Sequence, residues 1–228
     1  MHNQIRHSAD VVKNGVYQLE VNEKQLESKE NYELINSLLL MMNANYFLSN
    51  QHTVPGLDLK GIKGVLTKKD RLTDLMVFTP FMFGFKYIVS ERFVECLREI
   101  KVSNEEYCLF PFEIKGAKIN YYLMFVPIVP GTEIDFSNSL VYADKEKLYE
   151  QKTYFSLNSY EDYKRLYDTV KFKSFDKISL PKSYLTKDIL DVQGAVSMFF
   201  SKRLINILEA KDISNLVVLK KGIELVFN

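Results

Sequence analysis

Two pairs of carboxylates are the side chains in this sequence best suited to acid–base chemistry. They are Glu133 with Asp135, and Asp188 with Asp191. Paired acids can transfer protons when burial in a pocket separates their pKa values. The sequence shows neither the burial nor the pocket. We therefore predict no catalytic residues, and a small enzyme using paired carboxylates remains an alternative.

Histidine and cysteine offer little material for a metal site or an activated nucleophile. His2 and His7 lie in a polar segment that we expect to be mobile, and His52 lies in a polar loop. Cys96 and Cys108 fall in a predicted helix and a predicted strand without metal-ligand spacing, which is typical of buried free thiols. The glycine patterns GxxxxGKS/T and GxGxxG of nucleotide-binding loops are absent from the sequence. We predict no metal and no cofactor.

The sequence GIKG at 61–64 matches the short glycine pattern of RNA-clamping loops. Four lysines lie in or beside it, namely Lys60, Lys63, Lys68 and Lys69. The whole chain, however, has 30 basic and 29 acidic residues and a formal charge of +1. This balance supplies no field that would gather a phosphate backbone. We expect no nucleic-acid partner, and an RNA-binding module remains the second alternative.

A tyrosine-rich segment, SYEDYKRLYDTV at 159–170, has helical spacing and Ser159 as a candidate cap. Tyrosine provides a large contact area at little entropic cost, so such a helix can bind a partner. The same spacing also suits a helix that buries its tyrosines against a sheet. The residues that we predict for partner binding are Tyr160, Asp162, Tyr163 and Tyr167.

The elements that would position these residues predict an α+β fold, with a mainly antiparallel sheet and packed helices. Two aromatic runs, EYCLFPFEI at 106–114 and INYYLMFVPIV at 119–129, flank the turn-like KGAK and predict a hairpin. The other predicted elements are a helix at 31–48 and strands at 15–21, 74–89 with breaks at Pro80 and Gly84, 176–180, 196–200, 215–219 and 223–227.

The opening MHNQIRHSAD has no apolar signal region, and the most apolar stretch, 34–48, is shorter than the roughly 20 residues that a membrane span needs. We therefore expect a cytoplasmic protein that does not bind membranes. The sequence leaves the oligomeric state open.

One stretch is repeated: VSERFVECLREIKVSN at 89–104 aligns without gaps with FSKRLINILEAKDISN at 200–215. Ser90 and Ser201 are both placed to cap a helix whose apolar residues fall on one face. We interpret the repeat as two copies of a strand–helix–strand module, at about 74–114 and 188–225. Arg92 and Arg203 also coincide, and we predict that they make equivalent local contacts.

The order of motifs resembles that of the bacterial immunity proteins that accompany polymorphic toxins, in particular the family numbered eleven. The motifs are YIVSERFVECL, CLFPFEI, INYYLMFV with its double tyrosine Tyr121 and Tyr122, EIDFSNS with Asp135 and Ser139, and DILDVQG leading into the second repeat. The resemblance covers about 74–219. It implies an immunity-like domain at 74–228, with an N-terminal strand and helix region at 1–73 packed on it.

The family pattern has a glycine after each repeat helix, where this chain has Asn104 and Asn215. Asparagine also tolerates the left-handed conformation of a helix end, so the cap can survive the exchange. The resemblance implies a non-enzymatic protein that binds a cognate protein toxin and neutralises it by covering the toxin's active site. It implies no catalytic residue.

Overall fold

A computed structural model of the protein describes residues 1–7, 19–21, 44–59, 61–66, 72–79, 84–144, 152–170 and 172–228. Its helices and mostly antiparallel sheets confirm the predicted α+β class. The helices are α1 (Ala44–Asn50), α2 (Glu91–Glu99), α3 (Tyr160–Thr169) and α4 (Lys202–Ala210). Within the described ranges, no helix combines the length and the apolar character that crossing a bilayer requires.

The strands in the first part of the chain are β1 (His2–His7), β2 (Leu19–Val21), β3 (Lys63–Leu66), β4 (Leu75–Met76), β5 (Phe78–Thr79), β6 (Phe85–Ser90), β7 (Cys108–Ile114) and β8 (Tyr121–Phe125). Those that follow are β9 (Ile128–Val129), β10 (Leu140–Asp144), β11 (Lys152–Phe155), β12 (Lys173–Leu180), β13 (Ile189–Val192), β14 (Phe199–Ser201), β15 (Leu216–Val218) and β16 (Glu224–Phe227). The predicted hairpin is confirmed as β7 and β8. Most of the predicted helix at 31–48, and 15–18 of the first predicted strand, lie outside the described residues.

Contacts divide the chain into two interleaved units. Unit 1 comprises 1–5, 129–202 and 218–228, and unit 2 comprises 6–128 and 203–217. The sequence predicted a boundary between 73 and 74 instead. The two units are defined by contacts, whereas the predicted domains were defined by sequence resemblance. The predicted domains therefore stay a prediction.

Unit 2 contains a seven-stranded sheet in the order β4-β6-β8-β7-β3-β2-β5. Its first and last strands are separated in the chain by Val77 alone, so the sheet curls round an apolar core. Large core side chains include Phe47, Phe85 and Phe125. Gly84, at the predicted break, has φ +75°, and a Cβ there would lie 2.7 Å from Phe47 Cζ. This backbone position therefore requires glycine.

Unit 1 contains the sheet β11-β10-β12-β16, in which β16 is parallel to β12, and most of a second sheet, β15-β1-β14-β13-β9. Helix α3 contributes Tyr163 and Leu166 to a core that includes Phe136 and Phe175. Strands β10 and β11 were not predicted, because charged and polar residues dominate 142–156.

Ser90 begins α2 as predicted, since its Oγ accepts a hydrogen bond from the N–H of Phe93 at 3.3 Å. The same Oγ donates to Oδ1 of Asp74 at 2.6 Å. Oδ2 of Asp74 accepts from Ser214 N–H at 2.9 Å, from Ser214 Oγ at 2.7 Å and from Arg92 Nη1 at 3.0 Å. Asp74 is 3% exposed, so this one carboxylate ties β4, the start of α2 and the chain after α4 together inside unit 2.

The two serines of the repeat hold equivalent aspartates. Ser90 N–H donates to the carbonyl of Asp74 at 2.9 Å, and Ser201 N–H donates to that of Asp188 at 2.8 Å. Ser201 Oγ donates to Oδ1 of Asp188 at 2.5 Å, which matches the bond between Ser90 and Asp74. Module duplication and the equivalence of Arg92 with Arg203 stay predictions, which these matched bonds favour.

Both repeat helices also end alike. Lys101 and Asp212 have φ of 56° and 49°, and 212 − 101 equals the 111-residue spacing of the two serines. Left-handed residues at this position close a helix. The expected left-handed conformation occurs at Asn215, with φ 67°, but not at Asn104. Both helices close at Lys101 and Asp212, three residues before the asparagines, so the predicted role of these asparagines as helix caps is wrong in both copies.

Strand β1 was not predicted, and His2 is not mobile. It is 7% exposed and pairs with Ser201 of β14, while its Nε2 lies 2.5 Å from the carbonyl oxygen of Lys187. Burial is the main cause that lowers the pKa of His2. Each repeat serine thus lies opposite a residue of a neighbouring antiparallel strand. Ser201 lies opposite His2 in unit 1, and Ser90 lies opposite Tyr121 in unit 2.

We expect Ser90→Ala and Ser201→Ala each to lower the free energy of unfolding by about 1–2 kcal/mol, because each removes a hydrogen bond to a buried aspartate and Ser90 is also a helix cap. Urea denaturation would measure the change. Ser156→Ala, at an exposed position, is the matched control and should change stability by less than about 0.5 kcal/mol. A cost at only one of the two repeat serines would contradict the proposed equivalence.

Candidate functional site

A groove of about 920 Å³ lies within unit 2, between β7 and the facing residues 55, 57–59, 61 and 62. This volume is within the range of ligand sites. Its lining consists of Pro55, Leu57, Asp58, Leu59, Gly61, Ile62, the whole of β7, Ala117, Ile119, Asn120, Tyr121 and Tyr122. It is thus built from a strand, the turn after it, the start of the next strand and one facing segment.

Buried and exposed side chains alternate along β7, and this pattern decides which of them can contact a ligand in the groove. Phe110, Phe112 and Ile114 are buried in the core, whereas Pro111 and Glu113 between them are exposed. Successive side chains of a strand point to opposite faces, so the buried aromatic residues anchor β7. The exposed face and the edge of the strand remain available at the groove.

The groove exists because β3 leaves β7 after a short pairing. The two strands pair in parallel only at Lys63 with Glu113 and at Gly64 with Ile114. A Cβ at Gly64 would lie 2.5 Å from Cε1 of Phe112, so glycine permits this close approach. Residues 55 and 57–59, which precede this pairing in the chain, line the groove opposite β7.

Two tyrosines hold the end of the groove in a defined geometry. The Tyr122 hydroxyl donates to Oε2 of Glu91, whose other oxygen accepts from Arg98 Nη1 at 2.6 Å. Tyr121 is buried, and this burial, with the charge of Asp74, raises its pKa to about 12. Both rings therefore remain neutral hydrogen-bonding groups at physiological pH.

The predicted partner-binding residues lie elsewhere, on α3 of unit 1. Ser159 caps this helix as predicted, by accepting from the N–H of Asp162. Tyr163 is 8% exposed and stacks on Phe175, with ring centroids 5.3 Å apart. Tyr160 accepts a hydrogen bond from Gln193 Nε2 at 2.8 Å.

Tyr163 is buried in the core, which agrees with the alternative interpretation that α3 packs its tyrosines against the sheet. Asp162 accepts hydrogen bonds at the N-terminal end of α3 and lies 3.7 Å from Arg165. The side chain of Tyr167 lies outside the described residues. A role for α3 in partner binding stays a prediction.

The motif at Asp135 and Ser139 forms a turn in unit 1. Asp135 accepts from the N–H of Asn138 at 3.2 Å, and Ser139 Oγ donates to the carbonyl of Asp135 at 2.7 Å. Ser139 also accepts from the N–H of Ser179 at 3.0 Å. These bonds join the turn to β12, and they agree with the structural role expected for the motif.

The carboxylate pairs do not line the groove. Asp188 and Asp191 are each 1% exposed, whereas Glu133 is exposed. In the described ranges no group of three or more histidine, cysteine or acidic residues could hold a metal ion. Of the lysines in the RNA-binding alternative, Lys63 pairs with Glu113 at 3.1 Å, and Lys60, Lys68 and Lys69 lie outside the described residues.

Sequence reasoning missed the groove, although one signal for it was present. Pro111 interrupts an aromatic strand, and proline within a sheet is confined mainly to edges and bulges. Its position is typical of an edge, and in the described part of the chain β3 pairs with β7 only at Glu113 and Ile114.

Comparisons with known proteins leave the chain without an assigned family, because no family model and no curated protein matches it.

Proposed function

We propose that this protein is a cytoplasmic immunity protein, which binds a cognate protein toxin and neutralises it by covering the toxin's active site. The proposal starts from the order of sequence motifs and adds a spatial observation. All seven residues of CLFPFEI and the first four of INYYLMFV line the groove. Two motifs that carry the resemblance therefore meet at one surface.

The groove suits a protein that inhibits its partner by binding alone, without catalysing a reaction. A binding surface gains affinity when its groups are already ordered before the partner arrives. Here β7 is anchored by buried Phe110 and Phe112, and Tyr122 is fixed by its bond to Glu91. Tyrosine beside apolar residues is also the composition of interface hot spots.

Co-expression with the protein encoded immediately upstream tests the proposal. We expect that neighbour to stop growth when made alone, and this chain to restore growth and to copurify with it. The proposal fails if the neighbour is toxic and this chain neither restores growth nor copurifies.

A matched pair of variants tests the use of the groove. Ile119 lines it and is 45% exposed, so Ile119→Arg should leave the core intact. We expect this change to raise the Kd for the toxin by about 30-fold, the effect of losing a hot-spot contact of about 2 kcal/mol. The control is Val196→Arg in unit 1, at a valine that is 84% exposed. Equal binding by both variants would place the toxin elsewhere.

A further inference from the structure

We infer that His2 is a pH switch for β1. The strand stays in the sheet of unit 1 while the imidazole of His2 is neutral, and protonation of His2 in mild acid favours release of β1 from β14. This switch is independent of the groove and of the proposed function, because it depends only on the surroundings of one buried side chain.

Backbone hydrogen bonds hold β1 on both of its sides. Strand β1 pairs antiparallel with β14, and the N–H of Ile5 donates to the carbonyl of Met198 at 3.0 Å. On the opposite side of β1, the N–H of Leu219 donates to the carbonyl of Gln4 at 2.9 Å. His2 is buried at the start of this strand. Release of β1 would break these bonds and would expose His2 to water.

The two ring nitrogens of His2 have different surroundings. Nε2 lies 2.5 Å from the carbonyl oxygen of Lys187. A carbonyl oxygen only accepts hydrogen bonds, so Nε2 carries the proton of the neutral ring and Nδ1 carries none. Nδ1 is buried and has no hydrogen-bond partner in the described part of the chain. The neutral ring thus satisfies its one donor, and only a lone pair is left without a partner.

Protonation of His2 would add a positive charge and an N–H at Nδ1. Among the described residues, no acceptor lies within hydrogen-bond distance of this nitrogen. A buried charged donor without an acceptor is costly. In the released strand, water would accept from both ring nitrogens. The proton therefore binds more readily to the released strand than to the strand in the sheet, so acid favours release.

Groups from three neighbouring segments face the ring of His2. The ring of Phe227, in β16, lies with its centroid 5.2 Å from that of His2 and offers an apolar surface. Ser201, opposite His2 in β14, donates its hydroxyl proton to Asp188. The charge of Asp188, which precedes β13, favours the imidazolium, and the amino group of Met1 opposes it.

The pH range of the switch follows from the pKa of His2. Burial lowers this pKa and outweighs the bond to Lys187 and the charge of Asp188, which raise it. In the released strand the pKa has the ordinary histidine value of about 6.5. The stabilisation of β1 is therefore complete above about pH 6.5 and is lost as pH falls from there through the folded pKa. Release takes up one proton, so the released population rises by at most about tenfold for each pH unit.

Hydrogen exchange at the Ile5 amide measures release of β1, when each rate is divided by the intrinsic rate at the same pH. We expect the protection factor of this amide to fall about threefold or more from about pH 7.5 to about pH 5.5. His2→Gln keeps an amide donor for the Lys187 carbonyl but cannot titrate. His2→Phe keeps an aromatic ring against Phe227 and cannot titrate either. In both variants the protection factor should stay constant over this range.

His7→Gln and His52→Gln are the matched controls, because these are the other two histidines of the chain. Both controls should keep the pH response of wild type. A response of the same size in the His2 variants, or its loss in either control, would assign it to another group. A constant protection factor in wild type would also overturn the switch.

Titration of the His2 ring by NMR is a second test, which works even if neither His2 variant keeps β1 in the sheet. We expect the ring in the wild-type protein to titrate below about pH 6.5. A ring that titrates at or above that value would contradict the switch. Co-expression with the upstream neighbour has no bearing on either measurement, so failure of the immunity proposal and failure of the switch are distinguishable.

Discussion

Replacing Asp74 by asparagine is expected to lower the free energy of unfolding by about 3 kcal/mol. This is the lower end of the range for breaking a buried ion pair, because the Arg92 side chain is 51% exposed. One oxygen of Asp74 accepts from the Ser214 N–H, the Ser214 hydroxyl and Arg92. An amide nitrogen at that place would face these donors, and turning the amide would remove the acceptor of the Ser90 hydroxyl, whose oxygen already accepts from the Phe93 N–H.

The pH dependence of the Asp74→Asn effect follows from the pKa of this aspartate. Burial raises the pKa, but hydrogen bonds from Ser90 and Ser214 and the charge of Arg92 outweigh burial and lower it. The unfolded chain, with an ordinary aspartate pKa of about 3.9, therefore binds the proton first as pH falls. The stabilisation is complete above that pH and is lost below it, as pH falls through the folded pKa.

Urea denaturation of wild type and Asp74→Asn at pH 7 and below pH 3.9 measures both effects. The control is Asp176→Asn, because Asp176 pairs with Lys152 at 2.7 Å and is partly exposed. This change should cost less than about 1 kcal/mol. If the two substitutions cost the same at pH 7, the network around Asp74 does not stabilise unit 2 as described.

Removing residues 1–5 is expected to lower the free energy of unfolding by about 4 kcal/mol or more. Ile5 is fully buried, and loss of one such side chain alone costs about 2–5 kcal/mol. The deletion also removes the antiparallel pairing of β1 with β14 and the bond from Leu219 N–H to the Gln4 carbonyl at 2.9 Å. Strand β14 would therefore lose its partner on one edge.

The missing strand can be supplied as a separate molecule. The pentapeptide MHNQI, which is the segment removed, should restore much of the lost stability by mass action when it is added in excess to the shortened chain. The matched control peptide has Ile5 replaced by aspartate. Thermal unfolding with each peptide measures the effect, and equal responses to both would show that β1 does not occupy a specific place in the sheet.

The sequence predicted features that depend on local signals. Ser90 and Ser159 were identified as caps because capping is decided within one helical turn. The hairpin of β7 and β8 was predicted because two aromatic runs flank a short glycine-containing turn.

Strand β1 could not be predicted in the same way. Its partner Ser201 lies almost 200 residues away, and two of its buried side chains, His2 and Gln4, are polar. Hydrophobic alternation, the usual signal for a strand, is therefore missing. The Gln4 side chain is stabilised by a remote bond, since it accepts from the N–H of Ile223 at 3.0 Å.

The groove was only partly predictable, because Pro111 indicates a strand edge but not what lies beside that edge. It depends on how far β3 pairs along β7, and parallel register between distant segments leaves no local pattern in sequence. The resemblance includes the motifs CLFPFEI and INYYLMFV but does not indicate that they share a surface. By contrast, the tyrosine spacing of α3 is compatible with tyrosines that are buried and with tyrosines that are exposed. The structure shows that Tyr163 is buried.

The two cysteines give the protein a built-in reporter of groove occupancy. Cys108 lines the groove and is partly exposed, whereas Cys96 is 1% exposed within α2. Burial raises the pKa of both thiols, so both react more slowly with alkylating reagents than an exposed cysteine at the same pH. A fluorophore attached through the more accessible sulfur would thus mark the groove selectively, without any engineered substitution, and a partner that enters would protect this thiol from labelling.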